Sequence, residues 1–260
     1  MTTAPTPQPY DPERYRSAAA HYEHGRVSYA PALIRRVAEV VGLRRQHRVL
    51  DLGCGPGPLA RQFAPLAQEV VAMDPTPEML NAARALAGGI ANIRFVAGSS
   101  YELDPALGRF HLVVMGRSFH WMDRVDTLKR LDRMIEPAGA VALFADSAPA
   151  IPANAWLKTW QDICARYEPK IGAHAHDPNW IRHEAVLLDS PFAWLEQFGV
   201  IERRPLDVET LVQRTLSMGS TSPGHLGETG TAAITAEVRS ALADVREEVV
   251  MTSALVAWRP

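Results

Sequence analysis

The run Arg48-Val-Leu-Asp-Leu-Gly-Cys-Gly-Pro-Gly-Pro58, followed some twenty residues later by Val70-Val-Ala-Met-Asp74, constrains the fold more than any other part of the chain. Val49, Leu50 and Leu52 make the short apolar run of a strand buried on both faces. Gly53, Gly55 and Gly57 then form a turn, and Pro58 stands where proline is favoured at the start of a helix. A second apolar strand follows and ends in a carboxylate. Strand, turn, helix and strand in this order build a parallel α/β sheet, whose ligands bind outside the carboxyl ends of the strands. Glycines let the backbone turn tightly and approach a ligand with no Cβ between them. Asp74 ends the second strand, where its carboxylate can accept two hydrogen bonds from a ribose diol. The combination predicts a nucleoside-binding site.

The spacing narrows the choice of nucleoside. Dinucleotide sites use G-x-G-x-x-G, with the third glycine packing helix against strand. Here the pattern is G-x-G-x-G, and Pro58 falls where that third glycine belongs. Asp51 adds a carboxylate at the mouth of the turn, which repels a pyrophosphate and suits a group bearing an ammonium and a sulfonium. Val49-Leu-Asp-Leu-Gly-Cys-Gly-Pro-Gly57 and the acidic strand end at Asp74 resemble the first two motifs of the class I S-adenosylmethionine-dependent methyltransferases. The resemblance implies S-adenosyl-L-methionine as cofactor. It also implies an α/β, Rossmann-like, seven-stranded and mostly parallel sheet, with helices on both faces and an antiparallel last strand. Gly53, Cys54 and Gly55 would shape the pocket, Asp51 would order the methionine end and Asp74 would take the ribose. Pro75 and Met79 would follow on the same wall.

Composition fits a cytoplasmic enzyme. The 260 residues carry a net charge of −2, and no basic run interleaves with aromatics, which argues against nucleic acid as partner. Arg35, Arg36, Arg44, Arg45 and Arg48 cluster in sequence, as a solvated helix face and its exit do. Cys54 and Cys164 give neither a disulfide framework nor zinc spacing. Cys54 has no base placed in sequence to activate it. No apolar run approaches the ~18 residues of a membrane span. The first residues lack the charged and apolar regions of a secretory signal and read as a disordered tail.

Periodicity orders the rest. Leu33, Ile34, Val37, Val40 and Val41 recur at helical spacing between Pro31 and Gly42. Strands are predicted near 47–52 and 69–74, with a short helix from Pro58 that Pro65 ends or kinks. Thr76-Pro77-Glu78 reads as a cap, a first-turn proline and a first-turn acid, opening a helix to about Leu86. Further strands are expected at Ile93–Ala97, Leu112–Met115 and Val141–Ala145, with a helix over Arg124–Ile135 capped by Asp123. Phe198–Arg204 and Val249–Trp258 alternate as strands do, and helices lie between them near 208–217 and 232–243. Val249–Trp258 is placed as the antiparallel strand. The chain thus divides into a tail and cap helix (1–44), a cofactor-binding core (45–149), an aromatic insertion or lid over the acceptor site (150–197) and the last part of the core sheet (198–260).

Phe95-Val-Ala-Gly-Ser-Ser-Tyr-Glu-Leu103 resembles the family's third strand and its adenine turn. Ser99 stands where family members often carry aspartate, so Ser99 and the Ser100 N–H would hold the adenine edge, more weakly than a carboxylate. Gly116-Arg-Ser-Phe-His-Trp-Met-Asp123 resembles a small-molecule branch that includes trans-aconitate-type enzymes. It follows the fourth strand directly and so sits at the carboxyl edge beside the cofactor, where Arg117 and Trp121 are candidate cofactor-binding residues. His120 is either a general base for a hydroxyl or ammonium acceptor or a loop-orienting residue. The N-terminal segment with Tyr15, Arg16 and Tyr22-Glu-His-Gly-Arg26-Val-Ser-Tyr29 resembles the same branch. Tyr22 and Tyr29 would cover the sulfonium, and Arg26 would pair with the cofactor carboxylate; the alternative is a helix packed on the sheet with exposed polar tips. Asp146, ending the fifth strand, is a candidate to hold the acceptor. His174-Ala-His-Asp177 has metal-ligand types but lacks an evident third independent ligand, so no metal is assigned. Trp156, Trp160, Ile163 and Tyr167 share one helical face.

The function expected is methyl transfer from S-adenosyl-L-methionine to an oxygen or nitrogen of a small organic acceptor, with no nucleic acid or membrane partner. Two rivals stand beside it: a protein or RNA methyltransferase, and a protein that uses the cofactor for cyclisation without methyl transfer.

Overall fold

The computed structural model describes residues 16–167 and 180–260. Seven strands form one sheet: β1 (Arg48–Leu52), β2 (Glu69–Asp74), β3 (Ile93–Ala97), β4 (Phe110–Gly116), β5 (Ile135–Ser147), β6 (Trp194–Pro205) and β7 (Glu247–Trp258). Their order is β3-β2-β1-β4-β5-β7-β6. The first five run parallel, and β7 lies antiparallel between β5 and β6, as expected of Val249–Trp258. The order reverses between β1 and β4, so their carboxyl ends open the crevice where ligands of such sheets bind.

Helices cover both faces because the central strands are apolar on both. On one face α2 (Pro31–Val40), α3 (Pro58–Phe63) and α4 (Pro77–Ala87) bury Leu33, Ile34, Val37, Phe63 and Leu80 against Val49, Val70 and Leu112. On the other, α5 (Arg124–Asp132) and α7 (His183–Leu188) bury Leu128, Leu131 and Leu187 against Leu50, Val71 and Val113. A third cluster joins Ile163 of α6 (Trp156–Tyr167) to Leu211 and Val212 of α8 (Val208–Leu216) and Ile234 and Val238 of α9 (Pro223–Ala241).

Several boundaries differ from those read in sequence. The helix from Arg124 ends at Asp132, and Ile135 already pairs with Phe110; the register then jumps to Leu112 opposite Ala140. Thr76 sits at the cap position of α4, but its side chain makes no capping bond. α9 starts at Pro223 and kinks at Gly227, whose φ of 67° interrupts the helical backbone. Among the described residues the stretch 150–197 contains two α-helices, α6 and α7, and the aromatic face of α6 packs into the third cluster, as the shared face of Trp156, Trp160, Ile163 and Tyr167 foretold. Arg35, Arg36, Arg44 and Arg45 are exposed, whereas Arg48 binds Glu69 and covers the Phe110 ring.

The N-terminal helix α1 (Ala19–Gly25) lies on α8. Gly25 is required there, because a Cβ would stand 2.4 Å from the Gln213 backbone. Polar ties complete the docking: Glu23 pairs with Arg61 at 2.6 Å, and Arg214 donates to the Gly25 carbonyl at 3.1 Å.

The segment before α7 returns to the sheet by enclosing Arg124, which donates to the Ile181 carbonyl at 2.6 Å and stacks on Trp180. His183 packs against Phe119 beside it; burial, and then the Arg124 charge, push its pKa down to about 4. Unfolded histidine takes a proton first on acidification, so this stability is present above about pH 6.5 and is lost as pH falls toward 4. His183→Gln is expected to remove roughly 1–3 kcal/mol of acid sensitivity, measured as the flattening of Tm against pH between those limits.

Candidate functional site

Backbone geometry builds the site before any side chain does. Gly53, Gly55 and Gly57 all have positive φ (69°, 54° and 76°), the region that glycine enters without strain. At Gly53 a Cβ would also lie 2.6 Å from the Ser118 Cβ. The Gly53 and Cys54 N–H groups both donate to the Met73 carbonyl, at 2.8 and 3.0 Å. Asp74 locks the arrangement: one carboxylate oxygen accepts from the Gly55 N–H at 2.8 Å and the other from the Thr76 N–H at 2.9 Å. Asp74 is 6% exposed, and burial raises its pKa against these two bonds. The Thr76 side chain adds a third hydrogen bond to the carboxylate.

A cavity of about 810 Å³ opens above this turn, within the size range of small-molecule sites. Gly53, Gly55, Asp74, Pro75 and Met79 form its floor and one wall. Ser99 and Ser100 line the wall beyond β3, Arg117, His120 and Trp121 the wall beyond β4, and Tyr22 and Arg26 of the N-terminal segment complete it. These sequence-predicted residues therefore meet in one place. None of the described residues of 150–197 lines the cavity, and His174, His176 and Asp177 lie outside the described residues.

Two predicted residues sit below the cavity. Cys54 is buried and does not line it; burial and then the Asp51 and Asp74 charges hold its thiol well above the ordinary range, so it stays protonated. Asp51 is 1% exposed and accepts from the Ala60 N–H of α3 at 2.9 Å through Oδ2. Its Oδ1 is buried with no partner. Burial, with Asp74 nearby, pushes the Asp51 pKa up to about 7.

Tyr29 is also displaced from its expected place, being 2% exposed behind Arg117 rather than on the cavity wall. Arg117 has φ 56°, an uncommon conformation for a residue with a side chain and one that marks functional sites. Its guanidinium donates to Asp146 at 2.5 Å and to the Val27 carbonyl at 3.0 Å. Asp146 is thus bound to Arg117, and the pair anchors the N-terminal segment to the ends of β4 and β5. The guanidinium carbons of Arg26 and Arg117 lie 5.2 and 5.9 Å from the Tyr22 ring. The Nε atoms of both arginines and the Tyr29 hydroxyl are buried without partners.

Around the adenine turn the structure supplies a residue the sequence reading missed. Glu102 accepts from the Ser99 N–H at 2.8 Å and the Ser99 hydroxyl at 3.0 Å, the reciprocal capping arrangement of a short helical turn. Glu102 lines the cavity, so a carboxylate reaches this end from three residues beyond Ser99. Leu52, Tyr101, Ser118 and Met122 also line it. The capping-box spacing could have revealed Glu102; only packing reveals the others. His120 and Trp121 lie on one turn with ring centroids 4.8 Å apart.

Metal-type donors gather elsewhere. Among the described residues His47, His111 and Glu136 approach one another at the amino edge of the sheet. The two imidazoles stack at 3.9 Å, His47 Nδ1 accepts from the Arg44 N–H, and the His111 ring is bonded to Glu136 and to the Val41 carbonyl.

Comparison with known proteins agrees with this geometry. Residues 49–139 match the family described as a methyltransferase domain. An uncharacterized methyltransferase of Mycobacterium bovis is 31% identical over 129 residues, and the match spans about half of each chain (50%). A malonyl-[acyl-carrier protein] O-methyltransferase of Pseudescherichia vulneris is 31% identical over 192 residues, 71% of each chain. A methyltransferase structure from Thiobacillus denitrificans in complex with S-adenosyl-L-homocysteine shares the fold, with TM-score 0.51, 14% identity and coverage of 97% of this chain and all (100%) of that one. The glycine turn sealed by Asp74 at the reversal of the seven-stranded sheet agrees with these matches, and the likeness over 71% of a methyltransferase shows the family: the chain belongs to the class I S-adenosylmethionine-dependent methyltransferases.

Proposed function

We propose that this protein transfers a methyl group from S-adenosyl-L-methionine to an oxygen or nitrogen atom of a small organic molecule. One observation carries the cofactor assignment. Four of the five buried, unpartnered polar side-chain atoms among the described residues belong to Arg26 and Arg117, which line the cavity, and to Tyr29 and Asp51, which lie behind its lining. Leaving such atoms unpaired costs ~1–3 kcal/mol each, which favours a polar, zwitterionic ligand at this end. An amino acid's ammonium answers Asp51, and its carboxylate answers the arginines. Asp74 then holds the ribose diol, and Glu102 with Ser99 and Ser100 holds the adenine.

The bound cofactor supplies a methyl group on a positively charged sulfur. The protein's own work is to orient and to exclude water: Tyr22, Trp121 and Met122 give the cavity apolar walls, and Arg117 fixes the segment that covers it. Holding donor and acceptor near attack distance can contribute ~7–11 kcal/mol. His120 lines the same cavity and is the residue that would take a proton from a hydroxyl or ammonium acceptor. The size of the cavity, about 810 Å³, and the O-methyltransferase relative support a small acceptor group; the latter, by its name, acts on a group carried by a protein, which keeps a carrier-bound acceptor within the reading.

Incubating the protein with methyl-labelled cofactor in cell extract, with mass spectrometry of both fractions, tests the assignment. Label in a small molecule or carrier-bound group supports it. Label in RNA or on protein side chains overturns it, as does conversion of the cofactor without transfer of label. With the acceptor in hand, His120→Ala should lower kcat by roughly 10²–10⁴-fold with little change in cofactor affinity; an unchanged kcat removes the base role.

Asp51 carries a second expectation. Its folded pKa of about 7 exceeds the ordinary 3.8, so the ionised form costs stability, which falls as pH rises from about 4 to 7. Asp51→Asn should therefore stabilise the ligand-free protein at pH 8 by about 1–3 kcal/mol, the charge penalty less that of a buried amide. Wild-type cofactor affinity should rise with pH through about 7, as Asp51 ionises beside the ammonium. Calorimetric titrations at several pH values should show that rise in the wild type and a flat, weaker affinity in the variant.

A further inference from the structure

Among the described residues the sheet ends in a strand, β6, with no strand on its outer side. β6 pairs with β7 along all of Trp194–Pro205, and among the described residues no strand pairs with its other side. Such an edge offers a row of backbone donors and acceptors, which proteins normally cover or blunt. Here Trp194 is 60% exposed and Ile201 63% exposed. Charged residues on this strand could act as blunting devices, yet their spacing has a further property.

We infer that β6 is a homodimer interface, in which two copies of this chain join edge to edge, antiparallel, about a two-fold axis through Val200. A two-fold perpendicular to a sheet places opposite each other residues whose numbers sum to an even constant, because opposed side chains must share a face. With Val200 opposite itself, Glu196 of each copy faces Arg204 of the other, giving two symmetric ion pairs. Ile201 of each copy faces Gly199 of the other, which has no side chain and is exposed. The exposed isoleucine thus gains a hole to fill. Centring one residue earlier puts Glu196 opposite Glu202, a like-charge contact. Centring one residue later leaves Glu196 beyond the strand, opposite Leu206, and Arg204 opposite Phe198. Of these three registers, the one centred on Val200 alone pairs opposite charges and seats Ile201 over a glycine.

Existing contacts prepare the surface. Arg204 is held by Glu202 on its own strand and by the Ser28 carbonyl at 2.8 Å, so its guanidinium is already ordered. Glu196 is exposed. β5 and β7 separate β6 from the strand ends that frame the cavity, so pairing leaves the methyl-transfer site open and the inference does not depend on that function.

Sedimentation velocity of the whole chain over a dilution series tests this. The wild type should sediment as a dimer that dissociates on dilution. Ile201→Lys, exposed in the single copy and therefore compatible with folding, should abolish the dimer while leaving Tm at low concentration unchanged. Glu196→Arg, which opposes Arg204 with a like charge twice, should weaken association by roughly tenfold or more. Amide exchange should slow within 194–205 as concentration rises. A wild type that is monomeric at every concentration overturns the inference, and so does a dimer that neither substitution affects.

Discussion

The site rests on the carboxylate of Asp74. It touches both turns of the crevice, accepting the Gly55 N–H from the loop after β1 and the Thr76 N–H that precedes α4. Without it, the positive-φ turn would have only the Met73 carbonyl to hold it to β2. The acid proposed to hold the ribose is thus also the clamp that shapes the loop at the cavity floor. Burial raises its pKa, and its two backbone bonds work against that shift to keep the charge.

Around that clamp the protein concentrates polar atoms that it does not satisfy internally. Asp51 Oδ1, the Tyr29 hydroxyl and the Nε atoms of Arg26 and Arg117 are buried and unpartnered. An interior normally pairs its polar groups, and exceptions gather where a ligand completes them. Arg117 shows the cost most plainly, since it combines an unfavourable backbone conformation with a buried guanidinium. It is stabilised by Asp146 and by the Val27 carbonyl, which draws the N-terminal segment across the cavity. The same residue therefore links the loop after β4 to the cover.

Much of the site was legible because its residues follow one another closely along the chain. The glycine turn, Asp74 with Pro75 and Met79, and Arg117 with His120 and Trp121 each occupy a single strand-to-helix connection, and all such connections of a parallel sheet reach the same edge. What misled was burial. Asp51 and Cys54 belong to the turn by sequence, yet alternation along β1 and the tightness of the loop point them beneath the cavity. Tyr29 has the right spacing from Tyr22 to cover a ligand, but the chain after α1 extends and sends it behind Arg117. The aromatic stretch at 150–197 read as a lid, whereas its α6 face packs on α8 and α9, elements some fifty residues further on.

The sequence alone determined the elements that local chemistry governs: apolar strands, proline-started helices, a turn only glycine can make, and the acid that ends β2. These depend on backbone sterics and on periodicity, which a chain carries in its own order. Tertiary structure decided which polar groups meet. Glu102 takes the hydrogen bonds of Ser99, Asp146 is claimed by Arg117, and Gly25 is set by the Gln213 backbone almost two hundred residues away. Such pairings join residues distant in sequence, and their energies depend on burial, which no local pattern encodes.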